Sequence, residues 1–215
     1  MIPRAPDVSV IIVTYNSAQV IIDCIDSIIN NSQDVEVEIL IVDNGSTDHT
    51  CETITHHYPD INLMSGHGNL GFAAGNNMGM EAAQGRHFLI LNPDTEVSSG
   101  ALKTLTDYAD LHPTAGMIAP HLVNPDGTLQ HSTFRFPNLA QAFFGFFEKL
   151  VPIDSTINGR YPPEAYQKER CVEHILGAAI FVQRVLWNQI GGMDENYHLY
   201  FEETDWCYRA RKLKW

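Results

Sequence analysis

The 215-residue sequence predicts an α/β fold, with a doubly wound, mostly parallel sheet followed by a smaller mixed region. Strand-like and helix-like segments alternate through residues 1–112, and the strand-like segments are nearly continuous apolar runs. Such runs are typical of strands buried on both faces. Polar clusters directly follow three of the runs. We therefore expect these clusters to meet at the carboxyl edge of the sheet, where ligands bind in folds of this class.

The first two strand–helix pairs are readable from apolar spacing. A β-branched run predicts a strand at residues 8–13, and an apolar stripe at helical spacing predicts a helix over 20–29. Ser17 is the expected N-cap of that helix. The second strand is predicted at 35–42 and the second helix at 50–58.

The next two pairs differ in character from the first two. A short strand at 61–64 leads into a glycine-rich loop at 66–71, and a helix of small residues is predicted over 73–84. A fully apolar run predicts a buried strand at 87–91, and a helix follows at 101–111.

The pattern changes after residue 112. A strand is predicted at 117–122, a hairpin turn at 124–127, a buried strand at 174–182 and helices at 184–190 and 204–213. The irregular stretch at 131–170 is rich in aromatic residues and contains Phe143, Phe144, Phe146 and Phe147. We expect this cluster to pack in the core or beside a ligand, with a hydrophobic patch that touches a lipid or a partner as the alternative. No linker separates the halves, so a single domain over 1–215 is predicted.

Charge and cysteine content exclude some classes of function. Thirteen basic against 26 acidic residues give a formal charge of −13, which argues against nucleic-acid binding and against a polybasic membrane patch. Four widely spaced cysteines indicate reduced thiols in a cytoplasmic protein. We expect neither a signal peptide nor a membrane helix, since no apolar run reaches about 18 residues.

Asp94 is a candidate metal ligand because it follows a buried strand and a proline. Asn92 adds a polar group two residues earlier, and Mg²⁺ uses one or two carboxylates together with substrate phosphates. Asn-Pro-Asp is also common turn chemistry, and from the triplet alone a turn is the more frequent outcome.

Two further clusters could contact a nucleotide. Asp43 and Asn44 end a predicted strand, where a carboxylate can accept hydrogen bonds from a base or ribose, although a capped loop explains them equally well. The glycines of 66–79 allow close approach of a ligand to the backbone. Their spacing matches neither a dinucleotide fingerprint nor a P-loop.

The last cluster is acidic. Glu202, Glu203 and Asp205 lie beside Trp206 and directly after an aromatic run at 197–201. Carboxylates in close proximity can raise one pKa towards that of a general base, whereas acids at a helix N-terminus also stabilise the helix dipole. Aromatic rings beside carboxylates are suited to sugar binding.

The order of these clusters resembles a known family. VSVIIVTYNS, ILIVDNGSTD, GNLGFAAGNNMG, FLILNPDTEV, ILGAAIFV and GGMDENYHLYFEETDWCYRA follow one another as in the inverting nucleotide-sugar glycosyltransferases of family 2, which have the Rossmann-like GT-A fold. The chain is especially similar to the bacterial rhamnosyltransferase branch, over about residues 7–212. The resemblance implies a nucleotide-binding half at 1–112 and an acceptor-binding half at 113–215.

The resemblance also implies roles for single residues. The expected base and ribose pocket contains Thr14, Tyr15, Asn16, Asp43 and Asn44. The loop beside the nucleotide contains Asn69, Gly71 and Asn76, and the acceptor-side strand contains Gly177 and Ala178. Glu202, Asp205 and Trp206 are expected to contact substrate.

The metal and the base are placed in the same way. Asn92-Pro93-Asp94 occupies the DXD position, so Asp94 is the expected protein carboxylate for Mg²⁺ or Mn²⁺. Glu203 matches the second acid of the ED motif, the general base, with Glu202 and Asp205 as alternatives. The chain stops inside its last predicted helix, whereas family members usually continue and some supply a late metal-binding histidine. This departure predicts either a truncated catalytic core or a compromised activity.

The implied activity is metal-dependent, inverting transfer of a sugar, with rhamnose as the first expectation. The donor is a nucleotide-diphospho-sugar, and the acceptor is a hydroxyl of a saccharide or lipid-linked saccharide in cell-surface polysaccharide synthesis. Such an acceptor would bring the protein to the inner face of the membrane as a peripheral contact; the oligomeric state stays open. The alternative is a non-catalytic carbohydrate-binding or scaffold protein on the same fold. A nucleotidyltransferase is disfavoured, because the loop after the first strand carries no Arg or Lys.

Overall fold

The computed structural model describes residues 5–137, 159–197 and 200–215. Strands and helices of the first half alternate as β1 (Val8–Thr14), α1 (Ile21–Asn30), β2 (Val37–Asp43), α2 (Thr50–His57), β3 (Asn62–Met64), α3 (Phe72–Ala82), β4 (His87–Leu91) and α4 (Ala101–Leu111). The second half contains β5 (Met117–Ile118), β6 (Leu122–Val123), β7 (Leu129–Gln130), β8 (Thr133–Phe134), a 3₁₀ helix (Pro163–Tyr166), β9 (His174–Ile175), β10 (Ala179–Gln183), α5 (Arg184–Ile190) and α6 (Glu202–Lys212).

The central sheet has six strands in the order β3-β2-β1-β4-β10-β5. The first four are parallel, while β10 runs antiparallel to both of its neighbours. The hairpin β6–β7 and the pair β8–β9 form two small sheets of their own. The predicted α/β class with a mostly parallel sheet is therefore confirmed.

Helices cover both faces of this sheet. Side chains of α1, α2 and α4 form one apolar core with strand residues such as Ile12, and side chains of α3, α5 and α6 form the other core with residues such as Ile11. Adjacent strand residues enter opposite cores because side chains alternate along a strand. Burial on both faces explains the uninterrupted apolar runs.

Three details of the predicted elements are wrong. Ser17 is not a side-chain cap: α1 begins at Ile21 without one, and the Ser17 carbonyl accepts hydrogen bonds from Val20 and Ile21. The runs at 117–122 and 174–182 are each divided between two sheets, since apolar periodicity cannot show where a chain leaves one sheet for another. The cluster of Phe143, Phe144, Phe146 and Phe147 lies outside the described residues.

Glycines on α3 allow this helix to approach β1 closely. A Cβ on Gly79 would lie 2.4 Å from Cγ2 of Ile11, and a Cβ on Gly75 would lie 3.0 Å from Cγ1 of Val13. Ile11 is fully buried and β-branched, so it has little freedom to move away. The small residues of this helix therefore set its distance from the sheet.

Replacing Gly79 by alanine should lower the free energy of unfolding by about 1–3 kcal/mol, because the added methyl group overpacks the contact with Ile11. Helix propensity alone would give the opposite sign, a gain of up to about 1 kcal/mol. Chemical denaturation measures the difference. Glu81 is exposed on α3, so the difference in stability between Glu81→Ala and Glu81→Gly measures the contribution of helix propensity alone. A stabilised Gly79→Ala variant would refute the close-packing argument.

Candidate active site

The loops after β1 and β2 meet at the carboxyl edge of the sheet, as predicted. Thr14 lies opposite Asp43 in the parallel register, and its hydroxyl donates to Asp43 Oδ1 at 3.0 Å. The amide of Asn44 donates to the carbonyl of Thr14 at 2.8 Å. The carboxyl ends of the two strands are thus joined by one side-chain and one backbone hydrogen bond.

Asn16 connects the same loops further out. Its backbone amide donates to Ser46 Oγ at 2.8 Å, and its side-chain Oδ1 accepts from the backbone amide of Thr47 at 2.8 Å. The backbone is left-handed here, with φ of 52°, a conformation that asparagine tolerates better than most residues. Asn16 therefore holds the loop in place at the edge of the site.

Asp43 is buried and its carboxylate is surrounded by donors. Oδ2 accepts from the amides of Gly45 at 3.1 Å and Ser46 at 3.0 Å, while Oδ1 accepts from the hydroxyls of Thr14 and Ser46. Burial raises its pKa, but hydrogen bonds from Ser46, Cys51 and Thr14 outweigh this and lower the pKa below its ordinary value. The anionic carboxylate stabilises the turn that shapes the pocket.

A cleft of about 610 Å³ opens between these loops and the end of β4. This volume is within the usual range for small-molecule sites. It is lined by Val13, Thr14, Tyr15, Asn16, Ser17, Val20, Asn44, Asn69, Gly71, Phe72, Asn92, Pro93 and Asp94. Eight of the predicted site residues are among them, drawn from four separate stretches of sequence.

The glycine-rich loop forms one wall of the cleft and is tied to β2. Asn44 Nδ2 donates to the carbonyl of Gly71 at 2.9 Å, and Asn69 Oδ1 accepts from the amide of Gly71 at 2.9 Å. Gly45 packs against the backbone of Gly68 and Asn69 so closely that a Cβ would meet it at 3.1–3.2 Å. The loop ends where α3 begins, with backbone amides of the first helical turn beside the cleft.

Asn76 is not among the residues that line the cleft. It is fully buried in α3, where its Nδ2 donates to the carbonyl of Phe72 at 2.9 Å, and its Oδ1 has no hydrogen-bond partner among the described residues. The implied position of Asn76 on the loop beside the nucleotide is therefore wrong, because Asn76 lies inside α3 with its side chain buried.

Asp94 is exposed at the mouth of the cleft, one turn beyond β4. Among the described residues that line the cleft, Asp94 carries the only carboxylate, and none of these residues is a Lys or an Arg. Within the described ranges, no group of three or more His, Cys, Asp or Glu side chains could hold a metal by itself. The side-chain oxygen atoms of Asp94 and Asn92 are suitable ligands for a hard cation that takes its remaining ligands from phosphate and water.

The thiol below this loop is chemically inert. Cys24 is buried, and its Sγ lies 3.7 Å from the carbonyl of Asn92. Burial, followed by the charges of Asp94 and Glu96, raises its pKa to about 12. A thiol with this pKa stays protonated at neutral pH and is a poor metal ligand or nucleophile.

Gly177 and Ala178 lie beside the cleft, at the start of β10. The amide of Asn92 donates to the carbonyl of Ala178 at 2.9 Å, and a Cβ on Gly177 would lie 3.2 Å from the ring of Phe72. Phe72 was not among the predicted site residues, since a single aromatic residue at the start of a helix carries no signal of its own. It brings the second half of the chain against the wall of the cleft.

The acidic cluster lies at the start of α6, which packs against β9 just before Gly177. Glu203 is half-buried and is not among the residues lining the cleft. Burial and the charge of Glu202 raise its pKa above the ordinary value. Glu202 is only 4% exposed, its Oε2 has no partner among the described residues, and burial raises its pKa as well.

Two predicted substrate contacts have structural partners instead. Asp205 pairs with Arg209 at 2.6 Å, one turn along α6. Trp206 is fully buried, and its Nε1 donates to the carbonyl of Gly191 at 2.9 Å. The prediction that the Trp206 ring contacts substrate is therefore wrong, because at helical spacing it faces the core rather than the aromatic run before it.

Comparison with known proteins identifies relatives over most of the chain. The model of a protein family described as "Glycosyl transferase family 2" matches residues 9–176. An N-acetylglucosaminyl-diphospho-decaprenol L-rhamnosyltransferase of Mycobacterium tuberculosis is 30% identical over 195 residues, covering 83% of this chain and 62% of the relative. The low-salt glycan biosynthesis hexosyltransferase Agl10 of Haloferax volcanii is 28% identical, covering 96% of this chain and 62% of its own. The chain thus spans about three fifths of these relatives.

Solved structures share the fold. A mannosyltransferase from Pyrobaculum calidifontis, in complex with GDP-Man and Mn²⁺, superposes with a TM-score of 0.66 at 20% identity and covers 96% of this chain and 52% of its own. TarS 1–349 of S. aureus, in complex with UDP-GlcNAc, has a TM-score of 0.63 at 20% identity and covers 95% of this chain and 53% of its own. The expected GT-A architecture is confirmed by these neighbours.

Replacing Asp43 by asparagine should lower the free energy of unfolding by about 2 kcal/mol at neutral pH, since an amide cannot accept from all of the donors around it. The folded pKa of Asp43 is below its ordinary value of 3.8, so this stabilisation is complete above 3.8 and is lost as pH falls through the folded pKa. The gap between wild type and variant should be constant from about pH 7 to pH 5 and narrow below about pH 4.

Urea denaturation at several pH values checks this prediction. Asp60→Asn, at an exposed position before β3, is the matched control and should leave stability nearly unchanged. A gap that already narrows between about pH 7 and pH 5 would contradict the depressed pKa.

Proposed function

The chain belongs to glycosyltransferase family 2, and on that premise we propose that it transfers a sugar from a nucleotide-diphospho-sugar to an acceptor hydroxyl with inversion. One observation carries the proposal: four loops from distant parts of the sequence form one cleft, and the acceptor-side strand is hydrogen-bonded to its edge through Asn92 and Ala178. Residues 1–112 would bind the donor, and residues 113–215 the acceptor.

The donor would lie across the carboxyl ends of the strands. Tyr15 is 54% exposed on the cleft wall, so its ring is available to stack on a nucleobase. The first turn of α3 offers backbone amides and the positive end of a helix dipole to the diphosphate. Asn44 and Asn69 keep that turn in place.

A divalent cation, Mg²⁺ or Mn²⁺, would be held by Asp94 with Asn92 close by. When bound, such an ion neutralises charge on a leaving diphosphate. The described residues that line the cleft include no Lys or Arg, so a bound cation would supply positive charge that these side chains do not. The mannosyltransferase that shares the fold has Mn²⁺ and GDP-Man in its complex.

Glu203 is the proposed general base. Its carboxylate would take the proton of the acceptor hydroxyl as that oxygen bonds to the anomeric carbon and the bond to the nucleoside diphosphate breaks. Attack from the face opposite the leaving group inverts the configuration. Asp205 is paired with Arg209 and Glu202 is almost fully buried, so both are less suited to this role. The raised pKa of Glu203 makes it a better proton acceptor than an ordinary glutamate.

The proposed donor is deoxythymidine-diphospho-rhamnose, and the proposed acceptor is a lipid-linked saccharide. The Mycobacterium tuberculosis relative is named for rhamnosyl transfer to a diphospho-decaprenol carrier, which supports both. Such a carrier would place the protein at the inner face of the membrane. No helix in the described part of the chain has the length and apolarity to cross a bilayer. A thermal-shift screen of nucleotide-sugars with Mn²⁺ tests the donor, since a ligand that binds the folded state raises Tm.

Replacing Glu203 by glutamine should reduce turnover by roughly 10²–10⁴-fold, because the amide cannot accept the proton. Affinity for the nucleoside diphosphate should stay near normal, since Glu203 is not part of the cleft lining. Release of nucleoside diphosphate in the presence of acceptor measures turnover, and calorimetry measures affinity.

Glu202→Gln is the matched control for this substitution. It removes the neighbouring charge that helps to raise the pKa of Glu203, so turnover should persist while the acid limb of its pH profile moves to lower pH. Full turnover in Glu203→Gln would place the base elsewhere. Binding of nucleotide-sugars by a wild-type protein that neither hydrolyses nor transfers them would favour the non-catalytic alternative.

Replacing Asp94 by asparagine should abolish the strengthening of nucleotide binding by Mn²⁺, since it removes the only carboxylate among the described residues that line the cleft. Titration with dTDP, UDP and GDP, each with and without Mn²⁺, measures this effect. Glu96→Gln, two residues further on and outside the lining, should keep it. An Mn²⁺ effect that survives in Asp94→Asn would refute the assignment.

A further inference from the structure

The side chain of Asn77 joins α3 to the loop that precedes α6. Its Nδ2 donates to the carbonyl of Met193 at 2.9 Å and to Glu195 Oε1 at 2.8 Å, and its Oδ1 accepts from the amide of Met193 at 2.8 Å. Asn77 is only 9% exposed, so a partner lost here would leave a shielded polar group unsatisfied. All three bonds span more than 110 residues of sequence.

The loop approaches Asn77 as closely as a glycine allows. A Cβ on Gly192 would clash with Oδ1 of Asn77, so a larger residue here would have to displace either the loop or the Asn77 side chain. This contact and the three hydrogen bonds fix the loop on α3 at several atoms.

The other side of the same loop is bound by α6. Trp206 Nε1 donates to the carbonyl of Gly191 at 2.9 Å, and Arg209 donates to the carbonyls of Ile190 at 2.8 Å and Gly192 at 2.7 Å. Residues 190–195 therefore form a connector whose one side is held by α3 and whose other side is held by α6.

This connector links the donor cleft to the acidic cluster. Asn77 is five residues after Phe72, or about 7.5 Å along α3 from the wall of the cleft. We propose that Asn77 is a positioning residue, which holds α6 and the carboxylate of Glu203 at a defined place relative to the donor. The inference rests on the proposed function. Asn77 itself does not line the cleft and acts through the loop.

A positioning role predicts an effect on turnover rather than on donor affinity. Among the described residues that line the cleft, only Phe72 lies on α3, and the hydrogen bonds of the Asn77 side chain go to Met193 and Glu195 rather than to this lining. A base that is displaced by about 1 Å can lower the rate by 10²-fold.

The test exchanges the hydrogen-bond donor and the hydrogen-bond acceptor between positions 77 and 195. In Asn77→Asp a carboxylate faces the carboxylate of Glu195 and the carbonyl of Met193, so kcat should fall roughly 10- to 100-fold. Affinity for dTDP with Mn²⁺ should change by less than about twofold. In the double variant Asn77→Asp/Glu195→Gln, the amide introduced at position 195 can donate to the new carboxylate, and kcat should recover about tenfold.

Glu195→Gln alone keeps an oxygen acceptor for Asn77 and is the matched control, with kcat close to wild type. A normal kcat in Asn77→Asp, an equal loss of kcat and nucleotide affinity, or a double variant no better than the single one would overturn the inference. Should Asn77→Asp fail to fold, Glu195→Ala removes one bond at an exposed position. Its kcat should then fall with nucleotide affinity unchanged, and an unchanged kcat would overturn the inference.

Hydrogen exchange separates this inference from the proposed function. The backbone amide of Met193 donates to Asn77 Oδ1, so it should exchange faster in Asn77→Ala, which removes this acceptor, than in wild type, whether or not transfer is detected. Unchanged exchange would overturn the connector. A wild-type protein that releases no nucleoside diphosphate from any donor would refute the proposed function, while accelerated exchange would still support the connector itself.

Discussion

The site depends on the register between β1 and β2. Because Thr14 lies opposite Asp43, the hydroxyl of one strand end reaches the carboxylate of the other, and both following loops start from a fixed point. A shift by one residue would turn every side chain of the strand to the opposite face of the sheet. The two apolar cores, on opposite faces, oppose such a shift, since it would move buried Ile11 and Ile12 into the wrong layers.

The antiparallel strand β10 extends this edge to the second half of the chain. It pairs with β4, and just before it the carbonyl of Ala178 accepts from the amide of Asn92. The missing side chain of Gly177 lets the ring of Phe72 pack close by. A transferase must hold two substrates at a fixed separation. Here the elements proposed to bind the donor and the acceptor are neighbours in one hydrogen-bonded sheet, with Asn77 proposed to join them a second time on the helical layer.

The distribution of charge explains why a cation is part of the proposal. Several of the arginines are engaged in holding the fold: Arg86 pairs with Asp7 and Asp110, and Arg184 donates to backbone carbonyls of Gly85 and Ala83. The described residues that line the cleft include no basic side chain, and the chain as a whole carries −13. From these residues a diphosphate would meet neutral polar groups, backbone amides and a helix dipole, but no positively charged side chain. A divalent ion at Asp94 would supply the missing charge.

The sequence by itself determined the layered α/β class, the strands β1, β2 and β4 and the polar clusters at their ends, because continuous apolar runs and turn residues are local signals. The bounds of β4, α4 and α5 were predicted to the residue. Tertiary structure decided what local patterns cannot encode. It divided the apolar run at 174–182 between two sheets, turned Trp206 into the core, and buried the side chain of Asn76 away from the cleft. It also placed Asn77 in hydrogen-bonding contact with a loop more than 110 residues away in the sequence. Two adjacent asparagines look alike in sequence, and only the packing of α3 against that loop distinguishes them.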